Sequence, residues 1–231
     1  MRKAIGIIGG MGPEASAKFY ELLIYHAQKD FGVEKCEDFP EIYLASLPVP
    51  DFISNEERKK EALDIIGDRL RSMDNLPIGF YCIACNTGHL LIEDLKNVTK
   101  KPFVSLLEEV PKCVSKKGIK RLGILATPTT IRSGLYKRPL EDIDVELIVP
   151  SKKEVEILGK MILETIAGKN LKQNSVKVKK IADKLVIRGA EGILEGCTEI
   201  PLIFPEKYSV PVFNTLEILA MAVLKKYYLL K

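Results

Sequence analysis

Tryptophan is absent and only two glutamines occur, Gln28 and Gln173, while lysine and glutamate are plentiful. That balance leans towards a heat-adapted source. No apolar run reaches the ~18 residues that a membrane-spanning helix needs, so no membrane partner is expected. Nor is there the pattern of a secretory signal: Met1-Arg2-Lys3 leads straight into Ala4-Ile5-Gly6-Ile7-Ile8, which is short and soon followed by glycines. The cytoplasm is the expected location. No basic block stands out either. The net charge of +4 arises from mixed Lys and Glu, so nothing favours a nucleic-acid partner. Five cysteines, an odd number, sit in a chain large enough to fold without staples, and reduced thiols are the expectation.

What is present is a repeated arrangement of strand, cysteine and turn. Gly79-Phe80-Tyr81-Cys82-Ile83-Ala84-Cys85-Asn86-Thr87-Gly88-His89 reads as a short buried strand that stops at a cysteine and turns into a helix. An unbroken apolar run marks a parallel strand covered on both faces. Asn86, Thr87 and Gly88 are loop and cap residues suited to that turn. A thiol there lies at the carboxyl end of a parallel strand, where open α/β sheets bind ligands. It also lies near a helix N-terminus, whose partial positive charge favours thiolate. The stretch Gly192 to Pro201, with Cys197-Thr198-Glu199 at its turn, repeats the arrangement.

The 231 residues suit one large or two small domains. Strands are predicted over 3–8, 42–47, the run before Cys85, 103–104, 121–126, 145–149, the run before Cys197, and 210–213. Helices are predicted from Pro13 through Ala27, then over 56–73, 88–96 and 106–116, the last in spite of Pro111. Tyr136 is placed on a helix after the Thr127 turn. Further helices cover 154–167, the stretch from a cap at Asn174 or Ser175 to Arg188, and Thr215 to about Tyr228. Each half thus has a small polar turn after its first strand and a cysteine after its third. The expected fold class is α/β: two doubly wound Rossmann-like lobes with parallel sheets, related by a pseudo-twofold, thiols facing across the crevice. Residues 1–112 plus 212–231 form the first lobe, carrying Cys85, and 113–211 the second, carrying Cys197.

Gly10, Gly12 and Ala15 satisfy a G-x-G-x-x-G/A pattern after a strand. A dinucleotide site also wants an acidic residue closing a second strand ~20 positions on. Asp30 and Glu34 fall there but are read as loop residues, so the turn is taken to hold a small anion. Cys82 and Cys85 form a C-x-x-C. Strand positions three apart face opposite ways, and a redox pair opens a helix, so no metal or redox pair is expected. Cys36, Cys82 and Cys113 are read as small buried or incidental residues. His89, four residues after Cys85, either touches the site or is structural. Glu199 either caps its helix or faces a substrate amino group.

Two opposed thiols suit proton transfer at a carbon acid. One sulfur, as thiolate, removes a proton from one face and the other, as thiol, delivers one to the opposite face. A free thiol has a pKa near ~8.5 that a helix N-terminus can lower. The carbanion needs fixed donors, for which Asn86, Thr87, Thr198 and the Gly10–Gly12 turn are the candidates.

Gly9-Gly10-Met11-Gly12-Pro13-Glu14-Ala15, Cys85-Asn86-Thr87 with His89, and Gly196-Cys197-Thr198-Glu199 together resemble the aspartate/glutamate racemase family. The resemblance covers nearly the whole chain. It implies cofactor-independent amino-acid racemisation by two cysteine bases, without pyridoxal phosphate, in a two-lobed fold that usually dimerises as a homodimer. It also implies that the Met11 turn with Gly10, Asn86, Thr87, Thr127 and Thr198 line the pocket and hold the α-carboxylate of a small amino-acid or carboxylate substrate. Two departures stand out. Phe52 follows Pro50-Asp51 where aspartate-specific members usually carry arginine, with Arg58, Lys160 and Arg132 as surrogate cations. Asn214-Thr215-Leu216-Glu217 stands where an aspartate and a histidine are common. The alternatives are a lyase or other isomerase of the same superfamily, or a non-catalytic small-acid binding homologue.

Overall fold

The computed structural model of the chain describes residues 3–52 and 56–229, with the side chain of Glu56 outside that set. The ends of the first-lobe stretch (1–2 and 230–231) therefore lie outside the described residues. Strand β1 (Ala4–Gly9) has all six residues buried, because it is covered on both faces. Ile5 and Ile7 enter one apolar cluster, and Ala4 and Ile8 another. Helix α1 (Pro13–Phe31) opens on proline and closes at Gly32, whose left-handed φ of 67° lets the following Val33 N–H reach the Ala27 carbonyl at 3.1 Å. Asp30 therefore lies on α1 rather than in a loop. Then come β2 (Ile42–Ser46), α2 (Lys59–Met73), β3 (Ile78–Ile83), the short α3 (Ile92–Lys96) and β4 (Phe103–Val104). The helix expected over 88–96 is split: a tight 3-10 turn, Thr87–Leu91, precedes α3. Helix α4 (Leu106–Lys116) holds Pro111 without ending there, and the Ser105 hydroxyl caps it by accepting the Leu107 N–H.

The second half runs β5 (Arg121–Ala126), α5 (Pro128–Arg132), α6 (Lys137–Glu141), β6 (Glu146–Ile148), α7 (Lys152–Ile166), α8 (Leu171–Ile187), β7 (Gly192–Gly196), β8 (Val212–Asn214) and α9 (Thr215–Leu229). Tyr136 precedes α6 rather than lying on it. The start of α8 is earlier than predicted. Asn170 turns the chain with φ 56°, and Asn174 is inside the helix, buried, its amide directed at the Met161 carbonyl. Asparagine tolerates the left-handed region better than most residues, and that leaves no trace in hydrophobic periodicity.

Each half builds one parallel four-stranded sheet, in the orders β2-β1-β3-β4 and β6-β5-β7-β8. The two orders correspond strand for strand. Both sheets lay one face on a shared apolar cluster that includes Phe19, Phe80, Leu122, Leu194 and Leu219. Their other faces are covered separately, by α2 with Ile66 and Leu70 and by α7 and α8 with Leu158 and Ile181. Strand β8, at 212–214, pairs with β7 in the second sheet, and only with α9 does the chain cross back to pack on α1 and α4. The stretch 212–214 thus pairs within the second sheet, while α9 packs on helices of the first half. No described helix is long and apolar enough to cross a membrane.

Candidate active site

Alternation along β3 sorts its cysteines. Phe80, Cys82 and Ala84 enter the shared cluster, whereas Tyr81, Ile83 and Cys85 face the other way. Cys82 and Cys85 thus point to opposite faces of one sheet and share no ligand. Cys85 follows the end of β3 and Cys197 the end of β7, the matching strand of the other sheet. Both thiols are buried and unbonded, and each lies within electrostatic range of the other and of Tyr136.

The turn after Cys85 is held from several sides. The Gly88 N–H donates to the Cys85 sulfur at 3.3 Å. His89 Nε2 accepts the Leu106 N–H at 3.0 Å, so its proton sits on Nδ1, which donates to the Cys85 carbonyl at 2.8 Å. Burial holds this imidazole down at about 4, hence neutral. Of the two roles open for His89 the structure shows the structural one. It ties the thiol's own backbone to the start of α4. The side chain of Asn86 is held as well, its amide donating to Thr215 Oγ1 at 2.9 Å and its carbonyl accepting from the Tyr136 hydroxyl. Thr215 in turn donates to the Glu195 carbonyl at 2.8 Å, which pins the start of α9 to β7.

Across the cleft, Glu199 gathers groups from both lobes. Its Oε2 accepts from the Cys197 thiol and the Thr198 hydroxyl, each at 3.0 Å, and its Oε1 accepts the Gly12 N–H at 3.3 Å. It makes no side-chain cap to the 3-10 turn Ile200–Leu202 that it precedes. A Cβ on Gly12 would stand 2.6 Å from that carboxylate oxygen and displace it. Gly10 has φ 90° and would drive a Cβ into the Leu47 backbone. The glycine turn is thus closed by protein groups. Ser16 accepts the Gly10 N–H at 2.9 Å and a carboxylate accepts that of Gly12, which is the wrong charge to share with a pyrophosphate.

Three hydroxyls meet at the lobe boundary. Thr87 lies 3.1 Å from Thr127 and 3.0 Å from Thr130, and Thr127 donates to Thr130 at 3.0 Å. All three are buried. The Thr127 oxygen also accepts the Thr130 N–H at 3.0 Å and so caps α5. Met11 lies beside them, its terminal methyl 3.6 Å from where a Gly88 Cβ would be. Of the expected site residues, Gly10, Met11, Cys85, Asn86, Thr87, Thr127, Cys197, Thr198 and Glu199 thus form one continuous group. Thr130, Tyr136 and Thr215 belong to it too and were not picked out by the sequence. A Thr three residues after an N-cap is a signal that could have found Thr130; nothing local marks the other two.

The titration environment departs from expectation. Burial pushes the Cys85 thiol up to about 12, the Glu199 carboxyl adds to that, and the Gly88 and Thr87 N–H groups only partly oppose it. Burial and Glu199 drive Cys197 well above its ordinary value, and burial raises Glu199 itself. Removal from water outweighs the helix N-terminus, because desolvation of a fully buried anion exceeds the partial charge of one short turn.

Matched thiols thus lie at equivalent strand ends of two parallel α/β lobes. The chain belongs to the Asp/Glu/hydantoin racemase family, whose model matches residues 8–223. It is 24% identical over 228 residues to the broad specificity amino-acid racemase RacX of Bacillus subtilis (strain 168), covering 96% of this chain and 97% of that one. A crystal structure of an aspartate racemase homologue from Pyrococcus horikoshii OT3 is similar at a TM-score of 0.79 and 30% identity, over 96% of this chain and 98% of that one. The aspartate racemase of Picrophilus torridus gives 0.85 and 28%, over 97% and 94%.

Proposed function

We propose that the chain is an amino-acid racemase that inverts the α-carbon between Cys85 and Cys197 without a cofactor. The observation that carries this is the pair of buried, unbonded thiols at matching strand ends, each with its own hydrogen-bonding partner. The α C–H bond breaks to one sulfur, the electron pair passes into the carboxylate as an enolate-like carbanion, and the opposite S–H gives its proton to the other face. The sulfurs end with their protonation states exchanged. With both thiols pushed upward, the thiolate must be generated on binding. An amino acid brings its own cation, and an ammonium entering a dry cleft favours thiolate nearby. Glu199, already accepting the Cys197 proton at 3.0 Å, is the base that takes it.

The Thr87, Thr127 and Thr130 hydroxyls are assigned to the α-carboxylate. Each can rotate its hydrogen onto an incoming anion, and such charge-assisted bonds are stronger than those they replace. The Met11 turn and Thr198 complete the wall. The working form is a homodimer of a cytoplasmic enzyme, and sedimentation at micromolar concentration measures its state. The deciding experiment is proton–deuterium exchange at the α-carbon of a panel of amino acids in D2O. Exchange with inversion supports the two-base scheme, and its absence from every member of the panel rejects it.

A further inference from the structure

A cavity of about 160 Å³ lies along the glycine turn, between the loop after β2 and helix α7 of the other lobe. Its walls are Met11, Val49, Pro50, Phe52, Leu163 and Ile166, with Asp51 the single charged residue among the described residues that line it. Phe52 is only 2% exposed and packs in the cluster that also holds Met11 and Cys85. Behind Gly12 stands Glu199, the partner of Cys197. The turn that walls the cavity is thus the one that Glu199 ties to Cys197.

We infer that this cavity receives an apolar side chain of about leucine or methionine size, so that the substrates are apolar amino acids rather than acidic ones. The inference rests on the racemase reading and names its substrate class. An apolar cavity of ~150 Å³ has room for a molecule as large as benzene. A carboxylate placed there finds no cation on the lining and meets Asp51, a group of its own sign. Burying it unpaired is strongly unfavourable. The cations that could have served are elsewhere. Arg58 is engaged by Glu61 through two bonds of 3.0 Å, Arg132 lines a different cavity behind Tyr136, and Lys160 lies on the outer side of α7.

The test is α-proton exchange and racemisation of leucine, methionine, alanine, aspartate and lysine by the purified protein. Each methylene filled in such a pocket is worth roughly tenfold or more in kcat/KM. Leucine and methionine are expected to exceed alanine, aspartate and lysine by at least about tenfold. Aspartate equal to or above leucine overturns the inference and leaves the racemase reading standing. Lysine above leucine overturns it too, because Asp51 rather than the apolar walls then sets the choice. Exchange with no amino acid removes the racemase reading, and this inference falls with it. Phe52→Arg should lower leucine and raise aspartate. Because Phe52 is buried, Leu163→Arg, at a wall residue 41% exposed, provides the same readout with less demand on folding. If neither variant shifts the leucine-to-aspartate ratio, the cavity does not hold the side chain.

Discussion

The carboxylate of Glu199 accepts the Cys197 thiol proton at 3.0 Å while its other oxygen holds the Gly12 N–H of the opposite lobe. One side chain thus joins the Cys197 sulfur to the glycine turn of the other lobe. Glu199→Gln keeps the shape and removes the base. Proton exchange at the face served by Cys197 should fall by about 10² or more, a normal share for a general base, while exchange at the Cys85 face persists. NMR in D2O, starting from each enantiomer separately, reads the two faces apart. Equal loss at both faces would mean that Glu199 acts only on closure.

Cys85→Ser and Cys197→Ser should each abolish racemisation, since a hydroxyl is a far weaker acid and base partner at neutral pH than a thiol. Each variant should keep α-exchange of one enantiomer only. Full racemisation by either single variant would end the two-base scheme.

The reaction should depend little on pH near neutrality. Burial raises both thiols, Cys85 to about 12, so the free protein holds little thiolate, and the scheme draws it from proton transfer to Glu199 within the site. That transfer changes no proton count, so kcat/KM should vary by less than about tenfold between pH 6 and 9. A climb close to tenfold per unit would mean that the proton is lost to solvent instead.

Thr130→Val removes one of three hydroxyls without changing volume. If the threonines grip the α-carboxylate in ground and transition state alike, KM rises and kcat holds. A lost hydrogen bond to a charged group predicts roughly a tenfold to hundredfold rise. A fall in kcat at constant KM would assign the hydroxyl another role.

Stability should respond to pH through two buried groups of opposite sign. His89 is held neutral with its pKa lowered to about 4, so below about 6.5 the unfolded chain binds the proton first and acidification towards 4 costs stability, up to roughly 3 kcal/mol. Glu195, raised to about 8 by burial and then by the Glu217 charge, stays protonated in the fold, so stability falls as pH rises from about 4.5 to 8. The two oppose each other between about 4.5 and 6.5. Urea titrations should therefore show Glu195→Gln gaining on the wild type as pH climbs from 6 to 8.5. An unchanged gap would place the Glu195 titration elsewhere.

Strand and helix order could be read from residue pattern because it is local: unbroken apolar runs gave the central strands, and a period of two along β3 separated Cys82 from Cys85. Pro111 sits within α4 as predicted, since the capped start and buried face outweigh one missing N–H. What the pattern could not carry was distance in the fold. Tyr136 and Thr215 reach Asn86 from elements far along the chain, and no property of their own neighbourhood points there. The thiol environment reversed expectation for the same reason. Nearness to a helix start is visible in sequence, but the depth at which the lobes bury that start is not.

The crossing at Asn214–Thr215 has a consequence for synthesis. Leu216, Leu219, Ala220, Val223 and Leu224 of α9 fill the cluster on which both sheets rest, yet they are translated after every strand is made. A nascent chain halted before Thr215 carries α1 and α4 on the shared face but leaves the places of these five residues open to water. Such a chain should be cut by protease throughout β1–β4, and supplying a 215–229 peptide in trans should restore protection.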